Sequence, residues 1–189
     1  YNTSWLSKDG RPTGAPKDIA EWIEFALASI EYFNNVAEQV DEKIKYVEVW
    51  NEPNISQFWT GTQEEYFDLF RLVANAIHEK YPGIMVGGPT LSPGGPLDKW
   101  MKDFIRECGD VADYITYHSY GQSVEELVND IRKYDILFKG ITGKKGPKVM
   151  LTESDTILSA KKKVPFLFNR QLSLLEIEDI LLGFHHFCL

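Results

Sequence analysis

The feature that most constrains this chain is an alternation, repeated four times, of a helix-period segment with a short apolar run. Ile19, Trp22, Ile23, Ala26, Ile30 and Phe33 recur at the spacing of an amphipathic helix, opened by Pro16-Lys17-Asp18 and running to about Val40. A strand ending at Asn51 follows, in which Val47, Val49 and Trp50 suit burial. Thr62 and Glu65 have the spacing of a capping box and open a helix through Tyr66, Leu69, Phe70, Val73 and Ile77, which Tyr81-Pro82-Gly83 stops. Ile84-Met85-Val86 reads as the second strand, ending at Gly87-Gly88-Pro89, and Pro96 opens a helix through Trp100, Phe104 and Ile105. Residues 112–117 make the third strand. Ser123 and Glu126 repeat the capping box before Leu127, Val128, Ile131 and Leu137, and Val149-Met150-Leu151 makes the fourth strand. Each helix acts as a crossover that returns the chain to the same end of the sheet, so the strands are parallel and their C-termini share one face.

Length and charge narrow the class. At 189 residues the chain reads as a single α/β domain spanning 1–189, short of the roughly 250 residues of a complete (β/α)8 TIM barrel. A doubly wound sheet is the rival architecture, but it announces itself by a glycine-rich phosphate loop after the first strand. Gly140-Ile141-Thr142-Gly143-Lys144-Lys145 precedes a strand and lacks that spacing, so it reads as a turn. The net charge of -8 argues against nucleic acid or an anionic membrane as partner. Lys144-Lys145 and Lys161-Lys162-Lys163 read as solvated loops. Cys108 and Cys188 show no metal-ligand spacing and cannot form a disulfide framework, which is compatible with a reducing, cytoplasmic compartment. No stretch is apolar enough to span a bilayer, and Tyr1-Asn2-Thr3-Ser4 does not read as a signal peptide, so a soluble protein is expected.

Chemistry gathers at the strand ends. Asn51 and Glu52 follow the first strand, His118 and Tyr120 the third, and Glu153 the fourth. Two carboxylates on the C-terminal ends of one parallel barrel sheet can face each other across the axis, as glycosidic bond cleavage requires. Taken alone, Glu153 reads as a capping or solvated carboxylate and His118 as a core histidine, and only their joint occurrence gives the functional reading its force. Trp50, Phe58 and Trp59 could stack on a sugar, with Trp59 the subsite candidate, although aromatic residues beside a strand more often belong to the core. His78 reads as a surface residue of its helix. His185 and His186 point in different directions on a helix, so a metal pair is not expected there.

Asn51-Glu52-Pro53 after such a strand resembles the acid/base motif of the retaining glycoside hydrolases of clan A. The longer Trp50-Asn51-Glu52-Pro53-Asn54, followed by Phe58-Trp59, is most similar to family 39, the β-xylosidase and α-iduronidase group. Gly87-Gly88-Pro89 and the His-x-Tyr segment His118-Ser119-Tyr120 also match, in the right order. The resemblance implies a retaining, β-xylosidase-like glycosidase needing no cofactor, with Glu52 as acid/base and Glu153 as nucleophile. Asn51 would bind the sugar's 2-hydroxyl, Tyr120 would lie near the nucleophile and His118 would line the site. The two carboxyl groups are then expected about 5 to 5.5 Å apart, and a separation beyond about 9 Å would remove the assignment.

The same resemblance makes the strand before Asn51 the fourth of a barrel and the strand before Glu153 the seventh. The chain therefore covers roughly strands 3 or 4 to 7 of an incomplete barrel, with Tyr1 to Trp5 resembling the end of the third. An early-strand arginine of the family has no counterpart. Beyond Asp155 the resemblance fades, and Ser173 to Leu182 reads as a helix ending in apolar Phe187-Cys188-Leu189, with no eighth strand. The truncated chain could be inactive alone. Two other functions fit less of the pattern: a non-catalytic carbohydrate-binding or structural remnant, and a metal-dependent barrel lyase or hydrolase, which Asn51-Glu52-Pro53 suits poorly. An open piece of barrel also leaves two strand edges, so a homo-oligomer is expected unless the tail from Leu172 folds back over the open side.

Overall fold

The computed structural model describes residues 3–145, 148–155 and 186–188. Its elements run α1 (Ile19–Glu38), β1 (Tyr46–Glu48), α2 (Gln63–Lys80), β2 (Met85–Leu91), α3 (Leu97–Cys108), β3 (Tyr114–Tyr120), α4 (Val124–Thr142), β4 (Lys148–Asp155) and β5 (His186–Cys188). All pairings are parallel, in the spatial order β4-β3-β2-β1-β5. The first eight elements form a half-barrel of alternating helices and strands.

The helices start where their side chains can satisfy free backbone amides. Asp18 accepts from the Glu21 amide at 3.1 Å, and Thr62–Glu65 and Ser123–Glu126 close full capping boxes. Gly143, at φ +68°, ends α4 in the left-handed conformation.

Alternation along the strands separates two faces. Outward, Val47 and Val49, Val86, Ile115 and Tyr117, and Val149 and Leu151 join one core with Tyr66, Phe70, Val73 and Ile77 of α2, Phe104 of α3, and Tyr134 and Phe138 of α4. Phe70 and Phe104 meet edge to face at 4.7 Å, and Tyr117 meets Tyr134 at 5.2 Å. Cys108 is buried in this core, and burial pushes its thiol up to about 12, so it stays protonated. Inward, the ring of Tyr114 lies over Gly87, and its hydroxyl donates to the Val47 carbonyl at 2.9 Å. From the other face, Tyr66 donates to the Val49 carbonyl at 3.0 Å. Two tyrosines thus tie down β1 and the chain just past its end.

Several expectations need correcting. β1 ends at Glu48, short of Asn51, because Trp50 and Glu52 take positive φ values of 73° and 49°, which lead the chain out of the sheet. β2 continues through Gly87-Gly88-Pro89 to Leu91, with a register shift between Gly88 and Leu91. β3 begins at Tyr114 and reaches Tyr120. A further strand, which the sequence did not suggest, lies in the tail: β5 pairs with β1 in the register Tyr46↔His186 to Glu48↔Cys188, so His186 is in a strand and not a helix. The expected helix from Ser173 to Leu182, His185 and the Lys161 cluster lie outside the described residues. His78 is half-buried and not a plain surface residue, with its Nε2 2.7 Å from Asp113 Oδ2. The same oxygen accepts the Val86 amide at 2.8 Å, which fixes the start of β2 against β3.

A methyl group at Gly87 would sit 2.2 Å from the Tyr114 ring, whereas one at Gly140, inside α4, meets nothing within 4 Å. Gly87→Ala should therefore lower stability by about 1–3 kcal/mol through overpacking. Gly140→Ala should raise it by about 0.5–1 kcal/mol through helix propensity. Urea denaturation midpoints of the two variants check the pair of signs.

Candidate active site

The site lies where β1, β3 and β4 end. From Trp50 onward the chain is held by its neighbours. The Glu52 amide donates to the Thr90 carbonyl at 3.0 Å, and its carbonyl accepts Ile55 N at 3.2 Å. Asn54 pairs doubly with the backbone of Ser92, donating to its carbonyl at 2.7 Å and accepting its amide at 2.9 Å. The loop after β1 is thereby stitched to the loop after β2. Farther along, Thr60 donates to Asp9, whose carboxyl falls to about 2 through hydrogen bonds from Thr60, Ser7 and the Arg11 amide. That bond anchors the N-terminal loop to the same segment.

Glu52 is buried and turned toward β3, where His118 Nδ1 lies 2.8 Å from its Oε1. The same ring nitrogen is 3.6 Å from Glu153 Oε2. Two legs meeting at one atom cannot span more than their combined length, so these two oxygens are at most about 6.4 Å apart. The two carboxyls differ in solvation, because the Glu153 side chain is 53% exposed while that of Glu52 is 9% exposed. Tyr120 donates a short hydrogen bond to Glu153 Oε2. His118 is 1% exposed, and its Nε2 has no hydrogen-bond partner among the described residues. Its Nδ1 can donate to an ionised Glu52 or accept from a protonated one, so the ring offers Glu52 a partner in both states.

The structure thus brings Glu52, His118, Tyr120 and Glu153 together, and places Asn51, half-buried, immediately before Glu52. It does not bring Trp59. That side chain is 3% exposed, donates its indole N–H to the Thr62 carbonyl at 2.8 Å, and packs against Trp50 at 4.9 Å and Tyr66 at 5.9 Å. It has no face left for a sugar, and the subsite expectation is corrected to a core role. Trp50 is equally buried, with its N–H bonded to the Phe58 carbonyl at 2.8 Å. Among the described residues no group of three His, Cys, Asp or Glu side chains converges as a metal site, and no helix is long and apolar enough to cross a membrane.

One residue escaped the sequence reading. Glu48, the last residue of β1, is 1% exposed. Burial raises its carboxyl to about 7, against the opposing effect of the Thr116 and Thr152 hydroxyls and with a further push from the Glu153 charge. An acid between Val47 and Val49 in an otherwise apolar strand was the available signal.

The fold is that of the barrel glycoside hydrolases. A GH39 enzyme from Xanthomonas axonopodis pv. citri superposes on 79% of this chain and 33% of its own with a TM-score of 0.61 and 25% identity. Residues 13–135 match the family described as glycosyl hydrolases family 39, to which this chain belongs. A β-xylosidase of Geobacillus stearothermophilus is 32% identical over 109 residues, covering 56% of this chain and 21% of the relative. A β-xylosidase of Caldicellulosiruptor saccharolyticus is 34% identical over the same length, covering 56% and 22%. The matched region therefore spans about a fifth of the length of these curated relatives.

The raised Glu48 carboxyl links stability to pH. Between its ordinary value of 4.5 and about 7 the unfolded chain has released this proton while the folded chain keeps it, so stability falls as pH rises across that window. The loss is on the order of 3 kcal/mol. Glu48→Gln should remove this fall, and urea unfolding at the two ends of the window reads it directly.

Proposed function

We propose that this chain carries the acid/base and the nucleophile of a retaining, β-xylosidase-like glycoside hydrolase acting on O-glycosidic bonds by double displacement. The observation that carries the reading is the closeness of Glu52 and Glu153 to one histidine nitrogen, which suits the short carboxyl separation of a retaining pair. Glu52, buried and turned away from bulk water, suits the proton donor, while Glu153, more solvated and holding the Tyr120 hydroxyl, suits the anionic nucleophile. In the first step Glu153 attacks the anomeric carbon as Glu52 protonates the departing oxygen. In the second Glu52 takes a proton from the water that hydrolyses the glycosyl-enzyme. Asn51 binds the 2-hydroxyl of the sugar, a contact that strengthens in the oxocarbenium-like transition state, and His118 lines the site. The xyloside preference rests on the two related β-xylosidases alone.

Leaving-group chemistry tests the roles. On an aryl β-xyloside with a strongly acidic phenol, Glu153→Ala should fall to the uncatalysed rate. Glu52→Ala should still glycosylate, since such a leaving group needs no proton, but stall at the second step, and added azide should restore turnover as a glycosyl azide. Proton NMR of the unsubstituted reaction should find the β anomer first. An α anomer first, or a Glu153→Ala variant as active as its parent, refutes the assignment.

Among the described residues β4 and β5 are the outer strands of the sheet, and an outer strand's backbone groups favour association of two copies. Light scattering after size exclusion should give a mass above that of one 21.7 kDa chain. A monomer at micromolar concentration would leave the edges protected within one chain.

A further inference from the structure

The outer face of β3 carries one polar side chain where its neighbours are apolar. Ile115 and Tyr117 join the core, Tyr117 against Tyr134 of α4, yet Ser119, on the same face and buried, is a hydroxyl removed from water. Its partners account for it. Ser119 donates a short hydrogen bond to Gln122 Oε1, and Gln122 Nε2 donates to Asp130 Oδ2 at 2.9 Å. A carboxylate only accepts, so Asp130 in α4 holds the Gln122 amide with its oxygen toward Ser119.

The brace encloses Tyr120. The chain leaves β3 at Tyr120, turns at Gly121 with φ +74° and enters α4 at its cap, Ser123. The Ser119–Gln122 bond closes this turn, and the bond to Asp130 ties it to the body of the helix. β2 pairs with β3 only as far as Leu91↔Tyr117, so from His118 onward, among the described residues, the ladder continues on the β4 side alone. Tyr120 is itself half-exposed, so packing alone does not fix its ring. Its hydroxyl nonetheless donates to Glu153 Oε2, and the ring stands 6.4 Å from that of His118.

From this geometry we propose that Ser119, Gln122 and Asp130 form a positioning relay that aims the Tyr120 hydroxyl at Glu153. The three act through Tyr120, the residue that touches the carboxylate. Without the relay the turn pivots at Gly121 and the half-exposed phenol swings toward water, so Glu153 loses a donor that fixes its orientation. The kinetic consequence rests on the double-displacement reading, whereas the placement of Tyr120 does not.

Two measurements separate the two. Fluorine NMR of the whole chain, with Tyr120 labelled as its 3-fluoro derivative, reads the placement without turnover. Glu153→Gln should displace the fluorine line, and in a Gln122→Leu background that displacement should shrink to less than half. An equal displacement with and without Gln122 overturns the proposal, whether or not the chain hydrolyses anything. The second measurement is kinetic, on an aryl β-xyloside. Gln122→Leu should lower kcat roughly tenfold at little change in KM. That loss should disappear in a Tyr120→Phe background, where no hydroxyl is left to aim. Asp130→Ala should reproduce the loss, and Asp130→Asn, which keeps an acceptor for the amide, should restore most of the rate. Ser119→Ala serves in both measurements if Gln122→Leu does not fold. A folded Gln122→Leu with full kcat, or losses that simply multiply when it is combined with Tyr120→Phe, overturns the relay. Absence of hydrolysis by the parent chain refutes the proposed function and leaves the fluorine line to decide the placement.

Discussion

β1 contributes only three residues to the sheet, yet the site depends on how it is held. Its partners are parallel strands on both sides, and the hydroxyls of Tyr114 and Tyr66 bond to the carbonyls of Val47 within it and of Val49 just past its end. Because the strand is fixed, the departure of the chain at Trp50 occurs at one defined height above the sheet. The Glu52 amide then finds the Thr90 carbonyl, and the carboxyl is delivered to His118. Loosening β1 would move Glu52 relative to Glu153, which is carried by a strand three places away in the sheet.

The loop that carries Glu52 and the end of β2 beside it store strain. Trp50 and Glu52 in the loop and Thr90 in β2 have φ in the left-handed region, where a side chain, and above all the β-branched threonine, is disfavoured by about 1–3 kcal/mol. The contacts that over-determine these residues are visible: the double bond between Asn54 and Ser92, the indole bond of Trp50 to Phe58, and the packing of Trp59 against Trp50. Trp59 therefore serves the site from behind, as the wall that holds the loop in an unfavourable conformation.

Electrostatics adds a second layer. Three acids, Glu48, Glu52 and Glu153, lie near one another, and burial, with a smaller push from the Glu153 charge, favours the protonated form of Glu48. Unequal solvation breaks the symmetry between them. Glu48 is enclosed, Glu52 nearly so, and the Glu153 side chain is half open to water.

The sequence by itself determined the order of helices and strands, because periodicity and capping boxes are local, and the parallel topology, because each crossover helix allows little else. It also marked the C-terminal side of the strands as the place where Asn51, Glu52, His118, Tyr120 and Glu153 gather, although β1 itself ends at Glu48. Tertiary structure decided what depends on distance between elements. It sent Trp59 inward, since a tryptophan beside a strand reads alike whether its ring meets a sugar or Tyr66. It placed β5 beside β1, a pairing between segments more than a hundred residues apart that no local pattern encodes. It also buried Glu48: one acid in an apolar run is an oddity in sequence, and its carboxyl is pushed up only when the folded sheet encloses it.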